Sequence, residues 1–367
     1  MIRRIFQIVL YGLLCIPVAV SAMNESVSVP FKRNVIKTFN VQSGAHLNIS
    51  NKYGKVNLHT WNKNQIQATI TITTNGTNTE NARDLANQVT IQSNKTSNNV
   101  SITTEYAQSR SSSFWKSFFG GGGGNGKNNI HIDYEVYLPQ SLAGLTIKNN
   151  YGNVTGDDIP GSLSLDLNYG NFHLSKIGGP LELNANYCDG TLNDVKRGDI
   201  RANYTDFHLD KVNNLNIQSN YSDYKISKAG HLEIRSNYGD ISAEIIATLI
   251  SQTTYGDYKI TTLSKQGNIT TTYGDVNIRS LGDQFEGLTI KPTYSDVNIG
   301  VPGNLHVRLD IDLTHGDIRT DGISLQQVVK TDEHGKQTLK ASSTGAGTNA
   351  PVINVSGTYS DVSLSGN

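Results

Sequence analysis

Aspartates recur at one position of a repeated motif and are the first candidates for chemistry. The motif is a tyrosine, a small residue and then Asp or Asn, as in NYSD beginning at Asn220 and NYGD beginning at Asn237. Carboxylates at a regular spacing could bind a row of cations, because hard cations such as calcium take oxygen ligands. The aspartates of this column are Asp189, Asp206, Asp223, Asp240, Asp257, Asp275, Asp296 and Asp317, on eight successive copies of the motif.

A structural role is the favoured interpretation of this column. One acid per bend is fewer oxygen ligands than calcium-binding solenoids supply. Asp also favours turns, since its side chain bonds to nearby backbone amides. Stacked carboxylates repel by about 1 kcal/mol per pair in water, and Lys225, Lys259 and Arg319 on the same outward face would offset part of this. We expect turn-forming aspartates, with cation binding as the weaker alternative and no bound metal or cofactor.

The tyrosines of the motif form a second column. A row of exposed rings could stack on sugars, whereas buried rings would form a core ladder. Alternation places each tyrosine on the same face as the buried Leu and Ile, which predicts an inward or corner ring whose hydroxyl reaches water. The residues concerned are Tyr169, Tyr187, Tyr204, Tyr221, Tyr238, Tyr255, Tyr273 and Tyr294.

Catalytic signatures are scarce. The sequence has no GxSxG elbow and no HExxH motif. Asp310 and Asp312 form a pair of alternate acids, which on a sheet face could serve a polysaccharide-cleaving enzyme, but such acids are more often solvated charge. Cys188 has no placed histidine partner and is expected to be a buried small residue. We predict no catalytic residues and no enzyme, with a carbohydrate-active enzyme as the alternative.

Four aromatic residues lie in a glycine-rich and serine-rich stretch at residues 109–129. They are Phe114, Trp115, Phe118 and Phe119, in SRSSSFWKSFFGGGGGNGKNN. A loop folded back on the rest of the protein is the favoured interpretation, and an exposed contact loop is the alternative.

The repeat specifies the elements that position these residues. Leu163 and Leu165 lie six and four positions before Tyr169, and Phe172 and Leu174 lie three and five positions after it, a pattern that recurs through the chain. Period-two alternation on both sides predicts strand, bend, strand. A unit this short buries its apolar face only by stacking on its neighbours. The sequence therefore predicts an all-β parallel β-solenoid, or β-helix, of two-strand coils of about 17–18 residues, wound right-handed.

Two further positions of the repeat have predicted structural roles. Glycine after the tyrosine, as at Gly152 and Gly239, suits a bend with positive φ. Asparagine before it recurs from Asn150 to Asn237 and should form a ladder of amides bonded from coil to coil.

The two ends of the chain differ from the repeat. Arg3, Arg4, an apolar run and a Val-Ser-Ala site predict a signal peptide at residues 1–22. Residues 23–140 are predicted to form a β-rich capping region with a first coil and one helix at 79–89, and residues 141–367 the regular solenoid, closed by a last coil at 353–364. The formal net charge of +0 makes nucleic acid an unsuitable partner, and no transmembrane segment is expected in the mature chain.

The pattern resembles the DUF4097 family of exported bacterial proteins, described as putative adhesins. The matching stretches are AHLNISNKYGKVNLHTW, the helix after it, YEVYLP at 134–139, and the LTIKNNYGNV and YGDV coils. The resemblance implies a β-solenoid in the periplasm, at the outer-membrane surface or outside the cell, and it brings no catalytic residues. We expect an exported, non-enzymatic protein that binds an unidentified protein or glycan at the cell envelope. A structural or regulatory periplasmic protein without a ligand is a further alternative.

Overall fold

The computed structural model describes residues 28–107 and 130–367, and the described chain is almost entirely β-structure. The N-terminal part contains β1 (Val29–Asn40), β2 (His46–Lys52), β3 (Val56–Trp61), β4 (Gln65–Gly76), α1 (Thr79–Asn87), β5 (Val89–Thr96), β6 (Asn99–Tyr106) and β7 (Ile130–Pro139).

The repetitive part follows without a break. Its elements are β8 (Gly144–Asn150), β9 (Val154–Ile159), β10 (Ser162–Asn168), β11 (Phe172–Ile177), β12 (Leu181–Asn220), β13 (Tyr224–Tyr238), β14 (Ile241–Tyr255), β15 (Tyr258–Tyr273), β16 (Val276–Leu281), β17 (Gly287–Pro292) and β18 (Val297–Val301). The C-terminal elements are β19 (Arg308–Thr314), β20 (Ile318–Asp321), β21 (Leu325–Glu333), β22 (Lys336–Ser343), β23 (Val352–Thr358) and β24 (Val362–Gly366).

Successive copies of the motif lie side by side as parallel strands. Leu163 of β10 pairs with Leu145 of β8 on one side and with Leu181 of β12 on the other. After the bend, Phe172 of β11 pairs in the same way with Val154 and Gly190. Strand segments before the bends therefore form one row, called the first row below, and segments after the bends form the second row. The result is a β-solenoid-like repeat with an open sheet.

The core lies between the two rows. Leu163 and Leu165 of the first row and Phe172 and Leu174 of the second row all belong to one buried cluster. That cluster continues through nearly every coil, because the same positions of the repeat are aliphatic or aromatic each time. Tyr224 and Tyr258 replace smaller apolar residues there and bond their hydroxyls to Ser219 and Ser251.

The helix predicted at 79–89 is confirmed at Thr79–Asn87. The Asn78 side chain caps it by accepting a hydrogen bond from the Asn81 backbone N–H at 2.8 Å. Ala82, Leu85 and Ala86 are its buried face, as the spacing indicates. The helix packs mainly on β4 and β1, at the N-terminal end of the stack. Among the described residues, no helix is long and apolar enough to span a membrane.

The order of coils in space differs from their order in the sequence at both ends. Near the N-terminus, β2 lies between β6 and β8, and β3 lies between β7 and β9. Near the C-terminus, β23 lies between β17 and β19, and β24 lies between β18 and β20. The coil at 353–364 is thus last in the sequence but not last in the stack.

Antiparallel strands cover the ends of the stack. β4 pairs with β7 and β5 with β6 at one end, and β22 pairs with β19 at the other. β21 and β22 form a hairpin outside the regular coils. Such strands occupy backbone groups that would otherwise be free to pair with other chains.

Candidate functional site

The tyrosines form a continuous ladder on the outside of the stack. The exposed fraction of each ring residue from Tyr151 to Tyr359 is between 39% and 51%. Neighbouring rings are nearly parallel, and their centroids are 4.5 to 5.4 Å apart. Tyr53 continues the ladder at one end and His315 at the other. The rings lie at the bends and are half-exposed, so the expected inward placement, and with it a buried core ladder, was wrong.

At most ladder positions the backbone at the bend turns the ring outward, whereas Tyr238, Tyr255 and Tyr273 are exposed without a positive φ. Eight of the ladder tyrosines, among them Tyr204 and Tyr221, have φ between 51 and 65. This left-handed conformation interrupts the alternation of faces, so the ring points out and the next residue points in. Thr205 and Ser222 are accordingly buried. Non-glycine residues adopt this conformation at a cost that the surrounding packing must offset.

Glycine after the tyrosine has a different role from the predicted one. Of these glycines only Gly239 has a φ in the positive range, at 142. At Gly152, a Cβ atom would lie 1.9 Å from the carbonyl oxygen of Gly54 on the neighbouring coil. Glycine is used there because the two backbones approach too closely for a side chain.

The stacking hides the surface that sugars would need. Each ring inside the ladder is stacked between two neighbouring rings, one on each face. Its edge and its hydroxyl group therefore supply most of its exposed area. A sugar that packs on an aromatic ring contacts the face, where the π-electron density lies. This arrangement is suited to packing one coil on the next, and it leaves few ring faces open to a sugar. Partial desolvation in the stack, with the phenol groups of Tyr221 and Tyr255, raises the pKa of Tyr238.

The predicted asparagine ladder is confirmed. Asn186 donates from Nδ2 to Oδ1 of Asn168 at 2.9 Å, and Asn203 donates in turn to Asn186 at 2.9 Å. The same bond joins the remaining members of the column from Asn150 to Asn237. Each amide inside the ladder uses one N–H and accepts one bond, which leaves a second N–H and a second lone pair available.

The aspartate column has backbone donors. The Asp240 carboxylate accepts a hydrogen bond from the Asp257 backbone N–H at 2.9 Å, and Asp223 accepts one from Asp240 at 2.8 Å. Asn153 and Asn171 occupy the same position in earlier coils and accept equivalent bonds. Within the described ranges, no group of three or more His, Cys, Asp or Glu side chains could hold a metal ion.

The end of the aspartate column is ordered differently from the sequence. Asp361 lies between Asp296 and Asp317. The Asp361 backbone N–H donates a hydrogen bond to the Asp296 carboxylate, and the Asp317 backbone N–H donates one to the Asp361 carboxylate. Asp296 and Asp317 are therefore not on adjacent coils, which corrects the assignment of eight successive units. Arg319, one of the three expected cations, lies 3.3 Å from Asp361 and 3.6 Å from Asp317.

Asp310 and Asp312, the two acids considered for catalysis, each form an ion pair with a different lysine. Asp310 lies 3.4 Å from Lys340, and Asp312 lies 3.1 Å from Lys336, both lysines being on β22. These are cross-strand ion pairs on an exposed surface rather than two carboxylates that converge on one point.

Cys188 is buried, and burial raises the pKa of its thiol. Phe114, Trp115, Phe118, Phe119 and the predicted signal peptide lie outside the described residues.

An open groove crosses the first row and was not recognised in the sequence. Its volume is about 700 Å³. The residues that line it include Arg201, Gln218, Arg235 and Gln252, each three residues before a tyrosine, together with small residues and members of the asparagine ladder. The signal was present, because these are outward positions of a period-two strand on four consecutive repeats. The recurring Tyr-small-Asp motif does not include them, because the residue type at this position varies from copy to copy.

The fold and surface define a class of protein: a β-solenoid-like repeat whose outer face carries ordered polar and aromatic ladders. The sequence profile of the Toastrack DUF4097 family matches residues 45–360. The chain belongs to this family.

Three solved structures are similar over most of the chain, at low identity. A putative cell adhesion protein from Clostridium sporogenes ATCC 15579 is 11% identical, with a TM-score of 0.21, covering 92% of this chain and 100% of its own. A putative adhesin from Bacteroides fragilis NCTC 9343 is 12% identical, with a TM-score of 0.24 and coverages of 91% and 97%. A putative lipid binding protein from Parabacteroides distasonis ATCC 8503 is 9% identical, with a TM-score of 0.28 and coverages of 91% and 96%. No curated protein matches the chain.

Proposed function

We propose that this protein is exported and acts without catalysis, binding an external partner at the cell envelope through the side of its stack. The observation that carries the proposal is the groove on the first row, where polar side chains from four coils form one continuous surface. Its open shape suits a long partner that lies along the stack better than a small molecule enclosed in a pocket.

The partners of Asp310, Asp312 and the column aspartates support a binding role over hydrolysis. Asp310 and Asp312 each have a lysine partner, and the column aspartates have backbone N–H partners. Polysaccharide hydrolases need two carboxylates on either side of one bond, one to donate a proton and one to act as base or nucleophile. The arrangement of these acids is better suited to holding the stack together.

Export and organisation belong to the same proposal. The N-terminal charged and apolar pattern supports removal of residues 1–22 during export. We assign residues 23–140 to capping, including the first coil and the glycine-rich stretch, and residues 141–367 to the solenoid. We further infer right-handed coils of about 17–18 residues.

Three measurements, on the cells that produce the protein and on the purified protein, test this function. Fractionation should find the protein outside the cytoplasm, and the purified protein should sediment with isolated envelopes of the same cells. The same preparation should release no reducing ends from the envelope polysaccharides. A cytoplasmic protein, or one that fails to sediment with envelopes, would contradict binding at the envelope. Release of reducing ends would establish an enzyme instead.

A further inference from the structure

We infer that the groove on the first row binds a linear acidic polysaccharide that lies along the stack, with one anionic group for every two sugars. This inference rests on the proposed binding function and specifies its ligand. It comes from the types, spacing and unused hydrogen-bonding capacity of the side chains that form the groove.

Arginine and glutamine alternate along the floor of the groove. Gln218 is paired in register with Arg235, and Arg235 with Gln252. Arg201 occupies the same position one coil earlier, two residues before Asn203, which bonds to Asn220. Adjacent parallel strands are about 4.8 Å apart, so the two arginines are separated by roughly 10 Å along the stack.

The groove has donors and acceptors without partners in the protein. In the described part of the chain, the exposed side chains of Gln218 and Gln252 make no hydrogen bond within the protein. Each ladder asparagine adds one spare N–H. Hydroxyl-rich ligands suit such a surface, because a hydroxyl can both donate and accept.

The arginines retain most of their capacity for an anion. Arg201 lies 3.9 Å from Glu182, and its side chain is 63% exposed. Arg235 pairs with Glu233, and its side chain is 54% exposed. Exposed ion pairs of this kind contribute little stability, so a ligand carboxylate can compete for the guanidinium groups. Asp199 is a further acid beside the groove, on the side of Arg201.

A polysaccharide fits this surface better than an acidic peptide. Extended peptides bind sheets by pairing with free backbone at an edge. The backbone of these coils is already paired with strands on both sides, so only side chains are available. The length of one linked pyranose ring is close to the distance between one coil and the next. An anion on alternate sugars would therefore meet arginine on alternate coils, and the intervening sugar would meet a glutamine.

The test measures binding of the purified protein to hyaluronan, a polymer with one carboxylate per disaccharide. Carboxyl-reduced hyaluronan supplies the same chain without charge, and polygalacturonate supplies a carboxylate on every sugar. We expect binding to hyaluronan that weakens with salt and falls about tenfold or more on carboxyl reduction, as for loss of charge-assisted hydrogen bonds. Polygalacturonate should bind more weakly than hyaluronan, because only alternate coils carry arginine.

Variants locate the binding. The double variant Arg201→Gln with Arg235→Gln should lose about tenfold or more in affinity for hyaluronan. The matched control is Lys225→Gln with Lys259→Gln, which removes two charges at the same two-coil interval from the second row. The control should bind as the unaltered protein does. Circular dichroism establishes that both variants are folded.

Three results would overturn the inference: equal binding of hyaluronan and its carboxyl-reduced form, unchanged affinity in the arginine variant, or no binding of either acidic polymer. Sedimentation with envelopes separates these results from failure of the proposed function. A protein that binds envelopes while failing the hyaluronan tests retains its proposed function and loses the inferred ligand. A protein that fails both loses both.

Discussion

Tyr294 stacks on Tyr359, which is 65 residues further along the chain, and not on the next ladder residue in sequence, His315. The ring centroids of Tyr294 and Tyr359 are 4.9 Å apart, and their planes differ by 2°. His315 then stacks on the other face of Tyr359 at 4.7 Å. The final coil of the chain is therefore held by coils on both sides, and its removal would open the interior of the stack.

Ending the chain after Pro351 should strongly destabilise the C-terminal part of the protein. The deletion removes β23 and β24 and leaves β17 and β19 each with an unpaired side. We expect a loss of more than about 4 kcal/mol in the free energy of unfolding, or no cooperative transition at all. Urea unfolding followed by circular dichroism measures this. A truncated protein as stable as the full chain would show that the final coil is peripheral.

The matched control for this deletion is the exposed strand β21. Val328 and Val329 are 51% and 60% exposed. Replacing both with Thr, which is also favoured in strands, should change the free energy of unfolding by no more than about 0.5 kcal/mol, as is usual for surface positions. The contrast separates an inserted coil from a surface hairpin in the same region.

The loss of stability caused by substitutions at Tyr204 should depend on the left-handed backbone conformation of this residue rather than on strand propensity. Its φ is 51, which Asn tolerates and β-branched residues do not. Both Tyr204→Asn and Tyr204→Val lose two ring contacts, each worth about 0.5–1.5 kcal/mol. We expect Val to cost about 1–2 kcal/mol more than Asn, as measured by urea unfolding.

Tyr255 provides the control for that comparison. It stacks in the same ladder but has no positive φ. There Val should be no worse than Asn, because Val is favoured in strands. If Asn and Val rank alike at Tyr204 and Tyr255, the left-handed bend is not what determines the cost.

The aspartate column should depend on hydrogen bonding and not on a metal. Asp240→Asn keeps an oxygen that accepts from the Asp257 N–H, so stability should change by less than about 0.5 kcal/mol. Asp240→Ala removes the acceptor and should cost about 1 kcal/mol. Neither chelator nor calcium should shift the unfolding midpoint. A rise in the midpoint with calcium that disappears in Asp240→Asn would instead support a cation row.

Alkaline pH should destabilise the protein through its buried tyrosines. Burial raises the pKa of Tyr134 from 10.0 to about 12. Because the folded state holds this proton more tightly, its contribution is fully present below pH 10 and is lost as the pH rises towards 12. Tyr134→Phe should flatten this part of the stability profile. A Tyr134→Phe protein that loses stability between pH 10 and 12 as steeply as the unaltered protein would exclude this role for Tyr134.

The sequence allowed prediction of the repeat, its strands, the capped helix and the asparagine ladder. These follow from periodicity and from side-chain chemistry that acts between adjacent copies. Three features were not anticipated. Interleaving at the two ends joins coils that are not neighbours in sequence, as for Tyr294 and Tyr359. Most outward rings arise because Tyr204 and seven other ladder tyrosines adopt a left-handed conformation that alternation does not anticipate. The groove was missed because its arginines and glutamines vary from copy to copy.

The most direct test of the binding face follows the side-chain amide signals of Gln218 and Gln252 by two-dimensional NMR while hyaluronan is added to the 40.0 kDa protein. Both amides are exposed in the groove, whereas the Gln337 amide bonds to Asp317 and Asp332 at the C-terminal end and serves as the internal control. The account predicts that Gln218 and Gln252 shift together in a saturable way while Gln337 does not. Shifts confined to residues outside the groove, or no shifts at all, would contradict it.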